Sequence, residues 1–369
     1  MILNVEGFIS IYQKVYCLQT IFIEAMTEGS DKKSDYKKIF KTMEQNIRNF
    51  AEQIDAALPE PRTVESFDGQ SFWAEVTQVC DKLSFEANKL SLSWLSPPAP
   101  ASRDLLQMGA CLELACVALL ASYHNFPTDA GTNIREVFRE RLGAVFTACL
   151  GFIKTLANTL GKKFPANSHP ILQNFGDVSN CCDLIKNMPR SNRLLIAERL
   201  NGELGLLKDA LSELEEVNNE DFMDDFDEEA EQYTEKDGQL LNPSKGLIKT
   251  SIVLLKKTVT TIKKCDQDSK ATILQEYDEV LKIYSKMSSA VDDLALTLYP
   301  PIDWSECKKT NETLKNYLED CLRKVSEFQF MTSEDAVKWR DFVGKAILHN
   351  FSEIQRVFIS NGLAEMKIE

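Results

Sequence analysis

The chain is 369 residues long, 44% hydrophobic and 27% charged, and it carries a formal net charge of −14 with an isoelectric point near 4.9. That length holds two or three domains, and that composition belongs to a globular sequence. The acidic balance excludes a nucleic-acid footprint spread over the whole surface, which requires a clustered basic excess.

Ten cysteines follow no regular framework, so free thiols in a reducing compartment are expected, with Cys80, Cys111 and Cys149 on apolar helical faces. In the first 25 residues Glu6, Lys14 and Glu24 interrupt every apolar run, so neither a signal peptide nor a membrane span is read there. Residues 1–34 are set apart as an N-terminal extension. From Asp35 to Leu58 the apolar positions Ile39, Met43, Ile47, Phe50 and Ile54 recur at three- and four-residue steps, the face of a helix that stops before Pro59. Asp68 caps the next helix, where Trp73, Val76, Cys80, Leu83, Ala87, Leu90 and Trp94 keep the same alternation up to Pro97 and Pro98. Ser102 caps a third, and Leu105–Tyr123 is apolar on most faces and should lie centrally. Its longest apolar run, from Ala110 to Ala121, is short of the roughly 20 residues that cross a bilayer and contains Glu113. Helices over Thr132–Leu160, Pro170–Asn187 and Ser191–Val217 follow, and period-two strand patterns are absent. Leu200, Leu204, Leu207, Leu211 and Leu214 keep a heptad too short for an independent zipper and are read as intramolecular packing.

Asn219 to Asp237 then holds ten carboxylates against Lys236, nine of the fourteen net negative charges in nineteen residues. Such a density repels itself and lacks the apolar surface to offset ordering, so residues 219–242 are read as an acidic disordered linker. Two further readings remain open for it: docking onto lysines of this same chain, and recruitment of a basic partner by Asp221, Asp224, Asp225, Asp227, Glu228, Glu229 and Glu231, among which Phe222, Met223 and Phe226 are interleaved. Asn242 and Pro243 are expected to open a helix on which Lys245, Lys249, Lys256 and Lys263 share one stripe opposite Leu247, Leu254, Leu255 and Ile262, a solvated bundle face. Helices over Ala271–Leu298, Trp304–Phe328 and Ser333–Lys367 complete the chain. The whole is all-α: a helical bundle over 35–218 and a second over 243–369, joined through the acidic loop, with the packing of Ser191–Val217 open between the first bundle and a bridge to the second.

Catalytic patterns are missing. There is no glycine-rich phosphate loop, no GxSxG and no HExxH, and three histidines stand far from one another, so no catalytic, cofactor or metal residue is nominated. Asp292 and Asp293 stand side by side in Ser288–Asp303 before Tyr299 and two prolines; without a partner group for acid–base work, they are held as candidates for partner binding.

VDDLALTLYPP at Val291–Pro301, FDGQSFWAEVTQVCDKLSFEANKLSLSW at Phe67–Trp94 and the acidic loop between them resemble the cyclin-D1-binding protein family, the Grap- and cyclin-D-interacting proteins, over about residues 43–365. The resemblance implies two up-and-down bundles distantly similar to those of vinculin and talin. It also implies a non-enzymatic regulator, in cytoplasm and nucleus, of cell-cycle progression and transcription. Its partners would be D-type cyclins and helix-loop-helix proteins, with no direct nucleic acid and no membrane. The rival reading is a helical scaffold or adaptor of the cytoskeletal or adhesion type.

Overall fold

Several helices begin on side-chain caps, whereas Ser102, expected to cap the helix over Ser102–Asn125, is its first residue and Ala101 before it makes no side-chain cap bond. The Asp68 carboxylate accepts from the backbone N–H groups of Gln70 and Ser71, Asp303 from those of Ser305 and Glu306, and the Ser333 hydroxyl from that of Ala336. Each satisfies donors that the first turn leaves without partners. Asp68→Ala is expected to cost about 1 kcal/mol, read from thermal unfolding. The computed structural model describes residues 32–56, 67–96, 98–159, 169–217, 233–265 and 270–362, and these form helices and connecting turns with no strand among them. The helices are α1 (Lys32–Glu52), α2 (Gly69–Leu95), α3 (Ser102–Asn125), α4 (Thr132–Thr159), α5 (Pro170–Lys186), α6 (Asn192–Val217), α7 (Glu235–Lys264), α8 (Ala271–Tyr284), α9 (Met287–Thr297), α10 (Trp304–Ser326) and α11 (Glu334–Ser360). They divide into two compact units at Arg190/Ser191.

In the first unit α1 packs on α3 and α4, and α2 on α3 and α5, with α4 closing against α5. The most apolar helix, α3, lies inside as expected: Leu105, Leu112 and Leu119 are fully buried, and its one buried carboxylate, Glu113, accepts from the Asn46 amide at 3.0 Å. Both α3 and α4 are long and apolar enough to cross a bilayer, α3 well beyond the run from Ala110 to Ala121, yet much of that surface is turned into the bundle. The two tryptophans of α2 anchor its ends. Trp94 packs edge-on against Tyr36 and Phe40 and donates to the Thr159 hydroxyl, while Trp73 joins Phe72, Tyr123, Phe126 and Phe138 in an aromatic cluster and donates to the Arg190 carbonyl at 2.7 Å.

The second unit corrects three expectations. First, the boundary drawn at 218 leaves open which bundle Ser191–Val217 packs with, and the packing moves it: α6 packs on α7, α8 and α9. Its start is tied there: the Asn192 amide donates to the Leu274 carbonyl and the Asp278 carboxylate, and Arg193 donates to the carbonyl of Lys263, closing the last turn of α7. Second, α7 begins at Glu235, not at Asn242 and Pro243, so residues 235–242 are helix rather than linker. Thr234 and Asp237 form a reciprocal capping box, and Pro243 is carried inside the helix. With α7 longer, the lysine stripe splits: Lys245 is buried, with its ammonium donating to the Leu214 carbonyl at 3.1 Å near the end of α6. Lys249 pairs with Glu215 at 2.9 Å, and Lys256 and Lys263 remain exposed. Third, Ala271–Leu298 is two helices. At the break the Tyr317 hydroxyl donates to the Ile283 carbonyl and accepts from the Lys286 N–H, which satisfies backbone groups that a continuous helix would have paired.

The leucine heptad of α6 packs inward at Leu200, Leu204, Leu207 and Leu214, while Leu211 is half-buried. Cys80 and Cys149 are buried and Cys111 is half-buried, and all the described cysteines are free thiols.

Candidate interaction surface

Asp292 and Asp293 lie on the exposed side of α9, whose other face buries Val291, Leu294 and Ala295. An eleven-residue helix with apolar residues on one side has to turn its paired carboxylates to solvent. The helix beside it, α6, buries its leucines in the same way and turns out Leu206 and Glu213. Partial burial, followed by repulsion from Asp293, Glu213 and Glu203, holds the Asp292 carboxyl above its ordinary range. Glu213 also contributes to raising the Tyr299 phenol, after burial. These residues therefore form one anionic field across α6 and α9. Among the described residues no lysine or arginine is within ion-pair distance of Glu203, Glu213, Asp292 or Asp293, although Glu215, on another side of α6, is paired with Lys249. Glu203 is half-buried, and its Oε2 atom has no hydrogen-bond partner among the described residues.

Two leucines stand out of this field, Leu206 at 51% exposure and Leu296 at 69%. Uncompensated carboxylates around exposed leucines suit a partner helix that brings an apolar stripe flanked by lysine or arginine. The ordering of charges is not favourable for the fold itself. A carboxyl raised above its ordinary range binds its proton more tightly in the folded chain, so stability falls as pH climbs from the ordinary aspartate range through the raised value. Asp292→Asn is therefore expected to stabilise the chain at neutral pH by a few tenths of a kcal/mol, small because the group is solvent-screened. That gain over the parent should vanish once the pH falls to about 3, well below the ordinary aspartate value, where Asp292 is protonated in both states. Thermal unfolding at a series of pH values measures it.

Of the other sequence candidates, Asp221, Asp224, Asp225, Asp227, Glu228, Glu229 and Glu231 lie outside the described residues. The described flanks of that run are fixed beside the surface. Val217 ends α6, and Tyr233, where the description resumes, donates its hydroxyl hydrogen to the Leu298 carbonyl just past α9 at 2.9 Å. Glu203, Glu213, Leu206 and Leu296 were not singled out by sequence. Leu206 falls off the heptad and Leu296 off the inward face of α9, and that offset is the one sequence signal for both. Among the described residues no group of three His, Cys, Asp or Glu side chains is placed to hold a metal ion. His169 caps α5, and burial lowers the His124 imidazole beside the Gln53 carbonyl.

Residues 75–220 match the family model for the Grap2 and cyclin-D-interacting N-terminal domain, and residues 218–324 match the one for the C-terminal domain. The chain belongs to the Grap2 and cyclin-D-interacting family. Similar proteins include the cyclin-D1-binding protein 1 homolog of Xenopus laevis, 27% identical over 84% of this chain and 98% of that protein. The homolog of Danio rerio is 26% identical over 85% and 96%, and the cyclin-D1-binding protein 1 of Homo sapiens is 23% identical over 85% and 93%. The two family models meet at residues 218–220, whereas packing divides the chain at 190. In this chain, then, α6 belongs by sequence to the N-terminal family model and by packing to the second bundle, and it brings half of the acidic surface with it.

Proposed function

We propose that this chain is a non-enzymatic interaction protein that binds D-type cyclins and helix-loop-helix proteins. By holding them, it restrains cell-cycle progression and transcription in cytoplasm and nucleus. The observation that carries the reading is the acidic field of Glu203, Glu213, Asp292 and Asp293, which no lysine or arginine among the described residues pairs, around Leu206 and Leu296. The names of the relatives, which refer to cyclin D1, agree with it. In this reading a basic, amphipathic helix of the partner lies across α6 and α9 with its apolar residues on the two leucines. The acids at 221–231, joined to the edge of the surface, add to the attraction during approach. A partner so held is kept from its usual complex.

Titration of the purified chain with a D-type cyclin, and separately with a helix-loop-helix dimerisation domain, tests the proposal. Saturable binding to either supports it. Folded chain that binds neither, but co-sediments with actin filaments, would transfer the reading to a helical scaffold.

A further inference from the structure

The most apolar helix of the first bundle has an outward side that no described helix covers. Among the described residues α3 packs on α1, α2 and α4, and from Gln107 to Ser122 its one charged residue is Glu113, which faces Asn46 of α1. The outward side carries Ala110, Cys111, Leu114, Ala118 and Ala121, all half-buried, where a bundle helix turned to water has charges. Cys111, Leu114 and Ala118 line an open cavity of about 440 Å³ with Val79 and Lys82 of α2. One turn beyond Lys82, Glu86 is only 2% exposed. Its Oε1 atom pairs with Lys82 at 2.5 Å, but Oε2 is 3.7 Å from the Lys89 ammonium and has no hydrogen-bond partner among the described residues. A buried carboxylate oxygen in that state requires a donor from whatever covers it.

We propose that residues 2–24 of this same chain, which precede the described ones, lie in the groove between α2 and α3 as an amphipathic helix. The chain enters α1 at the end of that groove. The Tyr36 hydroxyl donates to the Pro100 carbonyl, and the Tyr36 and Phe40 rings pack edge-on against Trp94, at the turn from α2 to α3. Residues 25–31 give a connection of ordinary length for two packed helices. Within the segment Phe8, Ile11, Val15, Leu18 and Phe22 follow at steps of three and four, with Ile9 and Tyr12 beside them. At about 100° per residue Glu6, Ser10, Gln13, Cys17 and Glu24 fall on the opposite side, with Leu3 and Ile21 the apolar exceptions there. A helix over 2–24 is about 34 Å long, and the groove from Trp94 to Glu75 about 29 Å. Gln19 is the one polar residue inside the apolar arc between Val5 and Phe22. Counted from the Trp94 end, its amide comes within about one turn of Glu86 and supplies the missing donor. The short tether holds the segment beside the groove at high effective concentration, which a separate occupant has to displace.

Thiol labelling of the full chain with N-ethylmaleimide, read by peptide mass spectrometry, tests the placement, because Cys111 lies in the groove whereas Cys80, Cys116 and Cys149 are fully buried. In the parent Cys111 should label slowly. Phe8→Glu with Val15→Glu, which puts two carboxylates on the apolar arc, should speed it by on the order of 10-fold while the three core thiols stay unlabelled. Ser10→Glu, on the polar side, should leave it slow. Amine cross-linking of the unmodified parent reads the position directly, since Lys14 is the one lysine before Lys32 and should join Lys82 or Lys89 of the same molecule. Cys111 that labels equally fast in the parent and the double variant overturns the proposal. So does protection that fades on dilution, which would assign the groove to a second copy. Lys14 that joins neither α2 lysine, or joins Lys154 on α4 instead, overturns it whatever the variants do.

Discussion

Phe138→Ala is expected to destabilise the first bundle by about 3–5 kcal/mol, the largest single-residue effect anticipated in that unit. Phe138 has no exposed surface and lies within ring contact of Phe72, Trp73, Tyr123 and Phe126, side chains drawn from α2 and the end of α3. Removing it opens a cavity bounded by large, rigid groups that cannot collapse inward without breaking the Trp73 hydrogen bond to Arg190. Chemical denaturation followed by tryptophan fluorescence reads the loss, because Trp73 and Trp94 both report from this unit. The second bundle should retain its own transition.

The other large effect concerns binding. Replacing Glu203, Glu213, Asp292 and Asp293 together by their amides keeps size and shape while removing four negative charges. It is expected to weaken D-type cyclin binding by about 10- to 100-fold at low salt, acting through both steering and contact. The residual affinity should depend less on salt than that of the parent. The same variant should be slightly more stable than the parent, since it removes the partly buried Asp292 charge and, with it, the repulsion from its acidic neighbours. Loss of binding with gain of stability would separate a functional surface from a structural one. Titration calorimetry at two salt concentrations, beside thermal unfolding, gives both quantities.

Much of the fold was legible because helical periodicity and caps are local. Asp68 and Ser333 start helices where they stand, and the positions from Trp73 to Trp94 in the alternating pattern run along the buried face of α2. What was not legible depends on partners far along the chain. Pro243 reads as a helix start, but Thr234 and Asp237 complete a stronger one eight residues earlier. Lys245 reads as part of a solvated stripe, but the end of α6 covers it and supplies an acceptor. The continuous pattern from Ala271 to Leu298 gives no sign of a break, because the group that accommodates the break, the Tyr317 hydroxyl, comes from α10. The boundary at 218 followed the charge, whereas packing follows the apolar face of α6.

The candidate surface was legible in part for the same reason. Asp292 and Asp293 draw notice as a pair in a distinctive string, but Glu203 and Glu213 are ordinary helix acids until α6 is laid beside α9. Nothing in the spacing of the sequence brings residue 213 to residue 292. Leu206 and Leu296 become informative only once most of their helices' other leucines, such as Leu200, Leu207, Leu214 and Leu294, are seen to be buried.

The central claim is that α6 and α9 together form the partner-binding face, and carboxyl footprinting with and without a saturating D-type cyclin tests it most directly. The account predicts that Glu203, Glu213, Asp292 and Asp293 lose labelling together on binding, while exposed acids elsewhere in the second bundle, such as Asp335 and Asp341, label as before. Saturable binding that leaves those four carboxylates as reactive as in the free chain would contradict it.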